Sequence, residues 1–334
     1  MRAEARAGPR SPQPVQANSA TRALNILGDR WTLMILHLAF LGVQRFDDFQ
    51  GRIGLARSLL SDRLRRLEAA GVMVRERYQE RPPRDAYRLT PMGRDLFGLA
   101  LMIVRWEKRW FYDPANPTHR LVHACGRAFT PSLRCAACGA ELAVREVRIE
   151  DGPGAGLDPA AAPRAQRRSI VEGDLLNRND PMLERALQVL GDRWTSHVIA
   201  AAFLGHRRFK ALQAHLGIAS NILSDRLARL AAIGVLVRRP YQARPARWEY
   251  RLSDLGRDLY PLIAELNRWG DRWLAGKAGP PLITYHTTCG CRLVPRIACD
   301  QCGGEATLQT VWLASGDAVG GTGGGAAGGP GHEP

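Results

Sequence analysis

Hydrophobic and polar positions along this chain form a pattern that is laid down twice. In its first occurrence, Ala20–Leu27 and Trp31–Leu41 read as helices, the second apolar on nearly all sides and so expected in a core. Gly42 stops that helix, Phe46–Ile53 gives a short one, Gly54 turns the chain, and Ser58–Ala70 gives a longer helix with Leu60, Leu64 and Leu67 at i, i+4 and i+7. Two helices about a glycine turn are the pattern of a helix-turn-helix. Gly71 ends the longer helix. Val72–Val74 and Ala86–Leu89 then predict two short strands around a Pro/Arg loop, Tyr78–Asp85, which is a hairpin wing. Thr90 as N-cap and Pro91 at the first helical position open a final helix running to about Phe111.

The second occurrence lies 163 residues on: LGDRWT at 27–32 returns at 190–195, Phe46 at Phe209, and LSDRL at 60–64 as the same five residues at 223–227. Gly71-Val72, Tyr87-Arg88-Leu89 and Gly93-Arg94-Asp95-Leu96 recur at Gly234-Val235, Tyr250-Arg251-Leu252 and Gly256-Arg257-Asp258-Leu259, without a gap. A period this long marks a duplicated domain, since solenoid units are far shorter. The expected fold is therefore mainly α with small β wings: two winged helix-turn-helix domains in tandem, 19–115 and 181–276, each followed by a small Cys-rich segment, 118–150 and 282–313. A Pro-, Gly-, Ala- and Arg-rich stretch, 151–180, reads as a flexible linker, and 1–18 and the Gly-rich 314–334 read as disordered tails.

Charge then narrows the partner. Across 334 residues, 47 Lys and Arg stand against 32 Asp and Glu, a net +15 that favours a polyanion, with nucleic acid ahead of an acidic membrane surface. The longest apolar run, Leu33–Val43, is broken by His37 and falls short of the roughly 20 residues a spanning helix needs. The polar N-terminus has no apolar export region, so a cytoplasmic home is expected. Seven Cys, locally grouped and with four of them in two C-x-x-C pairs, suit reduced, metal-binding thiols better than a secreted disulfide scaffold.

The second helix of a helix-turn-helix enters the major groove with its N-terminal, outward residues against base edges. Here those are Arg57, Ser58, Ser61 and Arg65 in copy one, and Ser220, Asn221, Ser224 and Ala228 in copy two, so the scaffold matches while the reading face differs. Either the copies prefer different half-sites or these are solvated helix positions. The wings carry Arg75, Arg77, Arg81 and Arg84, and Arg238, Arg239, Arg244 and Arg247, suited to phosphate or minor-groove contact, with a solvated charged face as the plain alternative. Arg45, and Arg207, Arg208 and Lys210, precede or open the first helix of each motif, near where phosphates would lie. Arg63 and Arg226 have local carboxylates to pair with and need not touch DNA.

Trp106 and Trp110 lie i, i+4 on the last helix and recur as Trp269 and Trp273, to be read as core or as a dimer surface. Trp31 and Trp194 read as core anchors. Each copy ends in one His and three Cys: His123, Cys125, Cys135 and Cys138, then His286, Cys289, Cys299 and Cys302. Each foursome could close a structural zinc site, up to two ions per chain; inert thiols or a redox pair are the alternatives, and Cys291 competes as a ligand. An open catalytic zinc is not expected, no Glu or Asp being read as its general base.

These stretches, ALNILGDRWTLMIL, RFDDF, LLSDRLRRLEAAGV and YRLTPMGRDL, resemble HxlR-type winged-helix regulators, relatives of the MarR group, over 20–112 and again over 183–275. Trp31, Phe46, Leu60, Arg63, Leu64, Leu67, Gly71, Tyr87, Leu89, Thr90 and Gly93 carry the resemblance. It implies a DNA-binding transcriptional regulator, by family habit more often a repressor, that dimerises through its first and last helices and sets one recognition helix on each half-site. Members are commonly single domains, so the tandem form departs from the pattern. The oxidant-sensing Cys that many members carry ahead of the first helix is absent at Asn18–Ala20 and Asp180-Pro181. The Cys clusters resemble a zinc-ribbon-like appendage in spacing only.

The expectation is a non-enzymatic, sequence-specific regulator of double-stranded DNA. Its two copies would pair within one chain as a pseudo-twofold dimer on an imperfect palindrome, with further homo-oligomerisation open and no small-molecule effector legible. Paired carboxylates, a nucleophile with its base and a phosphate-cradling Gly loop are all missing from the sequence. The rival class is a winged-helix protein-interaction module in which the basic charge serves solubility.

Overall fold

Side-chain caps set the helix starts. Asn18 accepts from the backbone N–H of Thr21 to begin α1 (Ser19–Leu27), and Asp29 accepts from Trp31 and Thr32 to begin α2 (Arg30–Phe40). The structure, a computed structural model, describes residues 14–111, 120–159 and 184–314. Ahead of α1 stands a two-residue strand, β1 (Val15–Gln16). Copy one continues through α3 (Phe46–Ile53), α4 (Arg57–Ala69), the hairpin β2 (Met73–Gln79) and β3 (Arg84–Leu89), α5 (Pro91–Arg94) and α6 (Phe97–Phe111). Copy two repeats the order: α7 (Glu184–Leu190), α8 (Arg193–Phe203), α9 (Phe209–Leu216), α10 (Ser220–Ala232), β8 (Leu236–Gln242), β9 (Arg247–Leu252), α11 (Asp254–Arg257) and α12 (Tyr260–Leu274). Between α3 and α4, Gly54 sits at φ 70°, and Gly217 does the same between α9 and α10 at φ 59°, a left-handed turn that a Cβ would strain. Leu60, Leu64 and Leu67, with Leu223, Leu227 and Leu230, are buried and hold each α4 or α10 to its domain.

The single last helix expected from Thr90 is two. The carbonyls that would carry the helix across the junction are engaged by the other copy: Met92 O accepts from Trp269 Nε1 at 2.9 Å and Asp95 O from Arg268 Nη2 at 3.0 Å. Copy two breaks at the matching place, where Leu255 O accepts from Trp106 Nε1 at 3.1 Å. Trp106 and Trp269, each 1% exposed, are therefore core residues at a surface shared by the copies, so both readings of the tryptophan pair are partly met.

Around these anchors α1 and α6 pack on α12, and α6 packs on α7. A Cβ on Gly270 of α12 would lie 2.4 Å from the Ser19 carbonyl, so glycine sets the close approach of α12 to α1. Glu107 stands at that place in copy one and accepts the Ala186 N–H of α7 at 2.5 Å. The two DRW turns also touch, Arg30 N donating to Gly191 O at 3.0 Å.

The N-terminal tail and the start of the linker, both read as lacking structure, hold some order. β1 pairs antiparallel with β7 (Leu157–Asp158), and Asp158 takes two hydrogen bonds from Arg22, each 2.8 Å. A two-residue strand leaves no period in the sequence, which is why 14–18 and 151–159 were not legible as structure. The remainder of the tail, the linker and the Gly-rich end lies outside the described residues. The β1–β7 pair sits on copy two, where Val15 and Gln16 share a small cleft with Trp194 and His197. Accordingly α8 is buried along Thr195–Ala201, whereas α2, expected in the core, buries only Thr32, Ile35 and Leu36. Trp31 and Trp194 are half-buried against the core and not fully inside it.

The Cys-rich segments supply β4 (Arg120–His123), β5 (Pro131–Cys135) and β6 (Val147–Asp151) from the first, and β10 (Leu282–His286), β11 (Pro295–Cys299) and β12 (Val311–Ala314) from the second. Every ladder joins one segment to the other: β4 with β12, β5 with β11 and β6 with β10, all antiparallel. The two appendages are thus interleaved.

Candidate nucleic-acid interface and metal centre

The buried leucines of α4 fix which residues face outward. Arg57, Ser58, Ser61 and Arg65 are exposed, as are Ser220, Asn221, Ser224 and Ala228 on α10. Arg57 is held in place: Nη1 donates to Asp47 at 3.2 Å and to Gln50 at 2.9 Å, and its guanidinium carbon lies 4.8 Å from the Phe46 ring centre. Copy two has Ser220 in its place and Lys210 where copy one has Asp47. The Asp47 and Gln50 clamp was not foreseen. Its only sequence signal was the i, i+3 spacing of two hydrogen-bonding side chains on α3.

Each wing is tied to its helix-turn-helix by the main chain. Tyr87 N donates to Gln44 O and Tyr250 N to Arg207 O, both at 2.7 Å. The eight wing arginines, Arg75, Arg77, Arg81, Arg84, Arg238, Arg239, Arg244 and Arg247, are all exposed, but their charges are not equally available. In copy one, Arg75 and Arg77 both pair with Asp85, at 3.2 and 3.1 Å, and Arg88 with Glu76 at 3.1 Å. In copy two, the one wing ion pair among the described residues is Arg251 with Glu249, and Arg238 lies 4.1 Å over the Trp248 ring. From 45 to 89 copy one carries eleven Arg against seven Asp and Glu, whereas 208–252 carries nine Arg and Lys against two. Arg45 and Arg208 stack on Tyr78 and Tyr241 at 5.2 and 4.4 Å.

Arg63 and Arg226 turn inward, as their neighbouring carboxylates allowed. Arg63 binds Asp29 at 3.0 Å and Arg226 binds Asp192 at 2.7 Å, tying the second helix of each motif to the cap of α2 or α8. Burial pushes the Asp192 carboxyl up, but the Arg226 guanidinium and the Thr195 donors outweigh it and hold the group below the usual carboxylate range.

The eight predicted metal ligands do come together in two sets of four, but not in the sets expected. His123 and Cys125 meet Cys299 and Cys302, and Cys135 and Cys138 meet His286 and Cys289, with the ligand atoms of each set within 4.8 Å of one another. The grouping by appendage is overturned by the antiparallel register of β5 and β11. That register sets Cys299 opposite Pro131 and Cys135 opposite Pro295, carrying Cys135 a strand's length from Cys299. Cys291 stays outside, exposed, its thiol donating to Cys289 O at 3.7 Å. The His123 contact pulls the Cys125 thiol down to about 7, and the backbone of Cys291 followed by His286 brings Cys289 to about 6. Three thiols and an imidazole converging in this way are the donor set of a soft or borderline cation.

No helix among the described residues is long and apolar enough to cross a membrane. Among known proteins, the family model described as HxlR-like helix-turn-helix matches residues 26–114 and 189–278. An uncharacterized HTH-type transcriptional regulator of Mycobacterium tuberculosis is 45% identical over 127 residues, covering 38% of this chain and 80% of that protein. The HTH-type transcriptional regulator YvaP of Bacillus subtilis is 33% identical over 95 residues, 28% of this chain and 88% of its own. Among solved structures, PA1607, described as a candidate transcription factor, is 37% identical with a TM-score of 0.36, covering 39% of this chain and 91% of that one.

Proposed function

The chain belongs to the HxlR-like helix-turn-helix family, and from that premise we propose that it is a sequence-specific regulator of transcription, acting as a repressor, that binds one duplex through both of its copies. The carrying observation is the pairing, in each copy, of an exposed polar face on α4 or α10 with an arginine wing tied to the same motif by the bonds from Tyr87 and Tyr250. Base edges fall to Arg57, Ser58, Ser61 and Arg65, and to Ser220, Asn221 and Ser224; phosphates fall to the wing arginines.

The two copies act as an intrachain pseudo-twofold dimer. The reciprocal contacts of Trp106 and Trp269 support this, because each exists only when the other copy is in place. The preferred operator is then an imperfect palindrome with half-sites about one helical turn, roughly 10 bp, apart. Its halves differ because Arg57, clamped by Asp47 and Gln50, is suited to a guanine, whereas Ser220 and Asn221 are not equivalent readers. The Cys/His sets serve as structural zinc sites, up to two per chain, without catalysis. Binding of labelled duplexes across a salt series tests the reading: log affinity should fall steeply and linearly with log salt, and a chain with no such dependence is not a duplex-binding protein.

A further inference from the structure

We propose that two zinc-type ions clasp the two copies of this chain together, each ion taking two ligands from one appendage and two from the other. One is held by His123 and Cys125 with Cys299 and Cys302, the other by Cys135 and Cys138 with His286 and Cys289. This deepens the structural-zinc reading and rests on it.

The ligand atoms are spaced as the corners of a zinc tetrahedron would be. Bonds of about 2.3 Å to sulfur and about 2.0 Å to nitrogen set ligand-to-ligand edges near ~3.8 Å between sulfurs and ~3.5 Å between sulfur and nitrogen. Here Cys135 Sγ and Cys289 Sγ are 3.9 Å apart, and His286 Nδ1 is 3.4 Å from both Cys138 Sγ and Cys289 Sγ. In the other set Cys302 Sγ is 3.3 Å from His123 Nδ1. Both histidines therefore aim Nδ1 at the thiols, which leaves Nε2 for an outer partner. That of His123 is 3.2 Å from Glu305 O; that of the fully buried His286 makes no hydrogen bond, the nearest charge being the Glu146 carboxylate at 3.9 Å. At His123 a ring N–H donated outward fixes the tautomer whose Nδ1 lone pair faces the metal. A charge balance is also in place. Three thiolates and a neutral imidazole around a divalent ion leave one negative charge per site. Arg134 donates to Gly139 O at 3.1 Å and Arg296 to Gly303 O at 3.4 Å, one guanidinium beside each C-x-x-C turn. Binding exchanges three thiol protons per ion, so no oxidant or reductant is involved.

The consequence follows from connectivity. Had each ion closed on its own appendage, metal would stabilise each copy alone. With the ligands crossed, the copies cannot separate without breaking two coordinate bonds at each ion, so metal loading and copy pairing are linked.

The test uses the full chain and counts zinc after dialysis against a competing chelator. The unmodified chain should keep two ions. Cys125→Ser with Cys302→Ser empties one crossed site and should leave one ion, whereas Cys125→Ser with Cys138→Ser damages both and should leave none. The reverse pattern, one ion retained by the second variant and none by the first, overturns the clasp while sparing the zinc reading. An unmodified chain without zinc overturns both. A second measurement needs no variant: alkylation of the native chain at one equivalent of zinc, with the four-label species isolated whole and fragmented in the mass spectrometer to place the labels. Cys125, Cys299 and Cys302, or Cys135, Cys138 and Cys289, should be protected together in one molecule; joint protection of Cys125, Cys135 and Cys138 overturns the proposal.

Discussion

Trp273 donates its indole N–H to the Asp95 carboxylate at 2.8 Å, and 163 residues earlier Trp110 donates to Asp258 at the same distance in the opposite direction. Arg268 and Arg272 join Asp95, and Arg105 and Arg109 join Asp258, so a single aspartate from each copy gathers three donors from the other. The contact is reciprocal, with matching residues of the two copies used on both sides.

Replacing Asp95 by Ala should therefore destabilise the chain by about 2–4 kcal/mol, because Arg268 and Trp273 lose their partner in a largely buried place. Asp258→Ala should cost a similar amount, and the double variant less than their sum, since the first loss already loosens the shared surface. Denaturation followed by tryptophan fluorescence checks this, and a loss below about 0.5 kcal/mol would contradict it.

Wing substitutions should separate affinity from specificity. Arg84→Ala and Arg247→Ala are expected to weaken binding almost uniformly across sequences and to lower the salt slope by about 1 each. Ser61→Ala or Asn221→Ala should change preference at particular base pairs, a good bidentate contact being worth roughly 1–3 kcal/mol. Arg239→Ala should cost more affinity than Arg77→Ala, because Arg77 already pairs with Asp85 at 3.1 Å. Equal losses in a filter-binding series would remove the distinction between the wings.

Much of the fold was legible because the duplication prints its core pattern twice: Thr90 caps α5, and the leucines of α4 and α10 are buried, where the pattern put them. Asp29, Asp192 and Ser253 cap their helices without having been read as caps. Illegible were the features that depend on partners far along the chain. The β1–β7 pair joins Val15 to Asp158. The break after α5 depends on Trp269 capturing Met92 O. The metal ligands were sorted by nearness in sequence, whereas the β5–β11 register sorts them by nearness across a ladder. For the same reason α2 and α8, alike in pattern, differ in burial.

Acid should destabilise the chain earlier than its carboxylates require. Burial, followed by the Arg193 charge, brings His197 down to about 4, and burial with the His206 charge brings His215 to the same value. Both folded values lie below the unfolded one of about 6.5, so the unfolded chain binds more protons in between. Their contribution is fully present above about pH 6.5 and drains away as pH falls toward 4. His197→Met, which installs the residue copy one has at Met34, should flatten part of that decline in denaturation midpoints. A variant with an unchanged pH profile would contradict the assignment.

The central claim, that one chain reads a duplex with two unlike recognition helices, meets its most direct test in selection of bound duplexes from a random pool by the full, metal-replete chain. Enrichment is expected of a composite site, two related but non-identical half-sites centred about one helical turn, roughly 10 bp, apart, with a base preference that Arg57→Ala erases in one half alone. A pool that stays unenriched, or one that yields a single half-site untouched by changes in copy two, would contradict it.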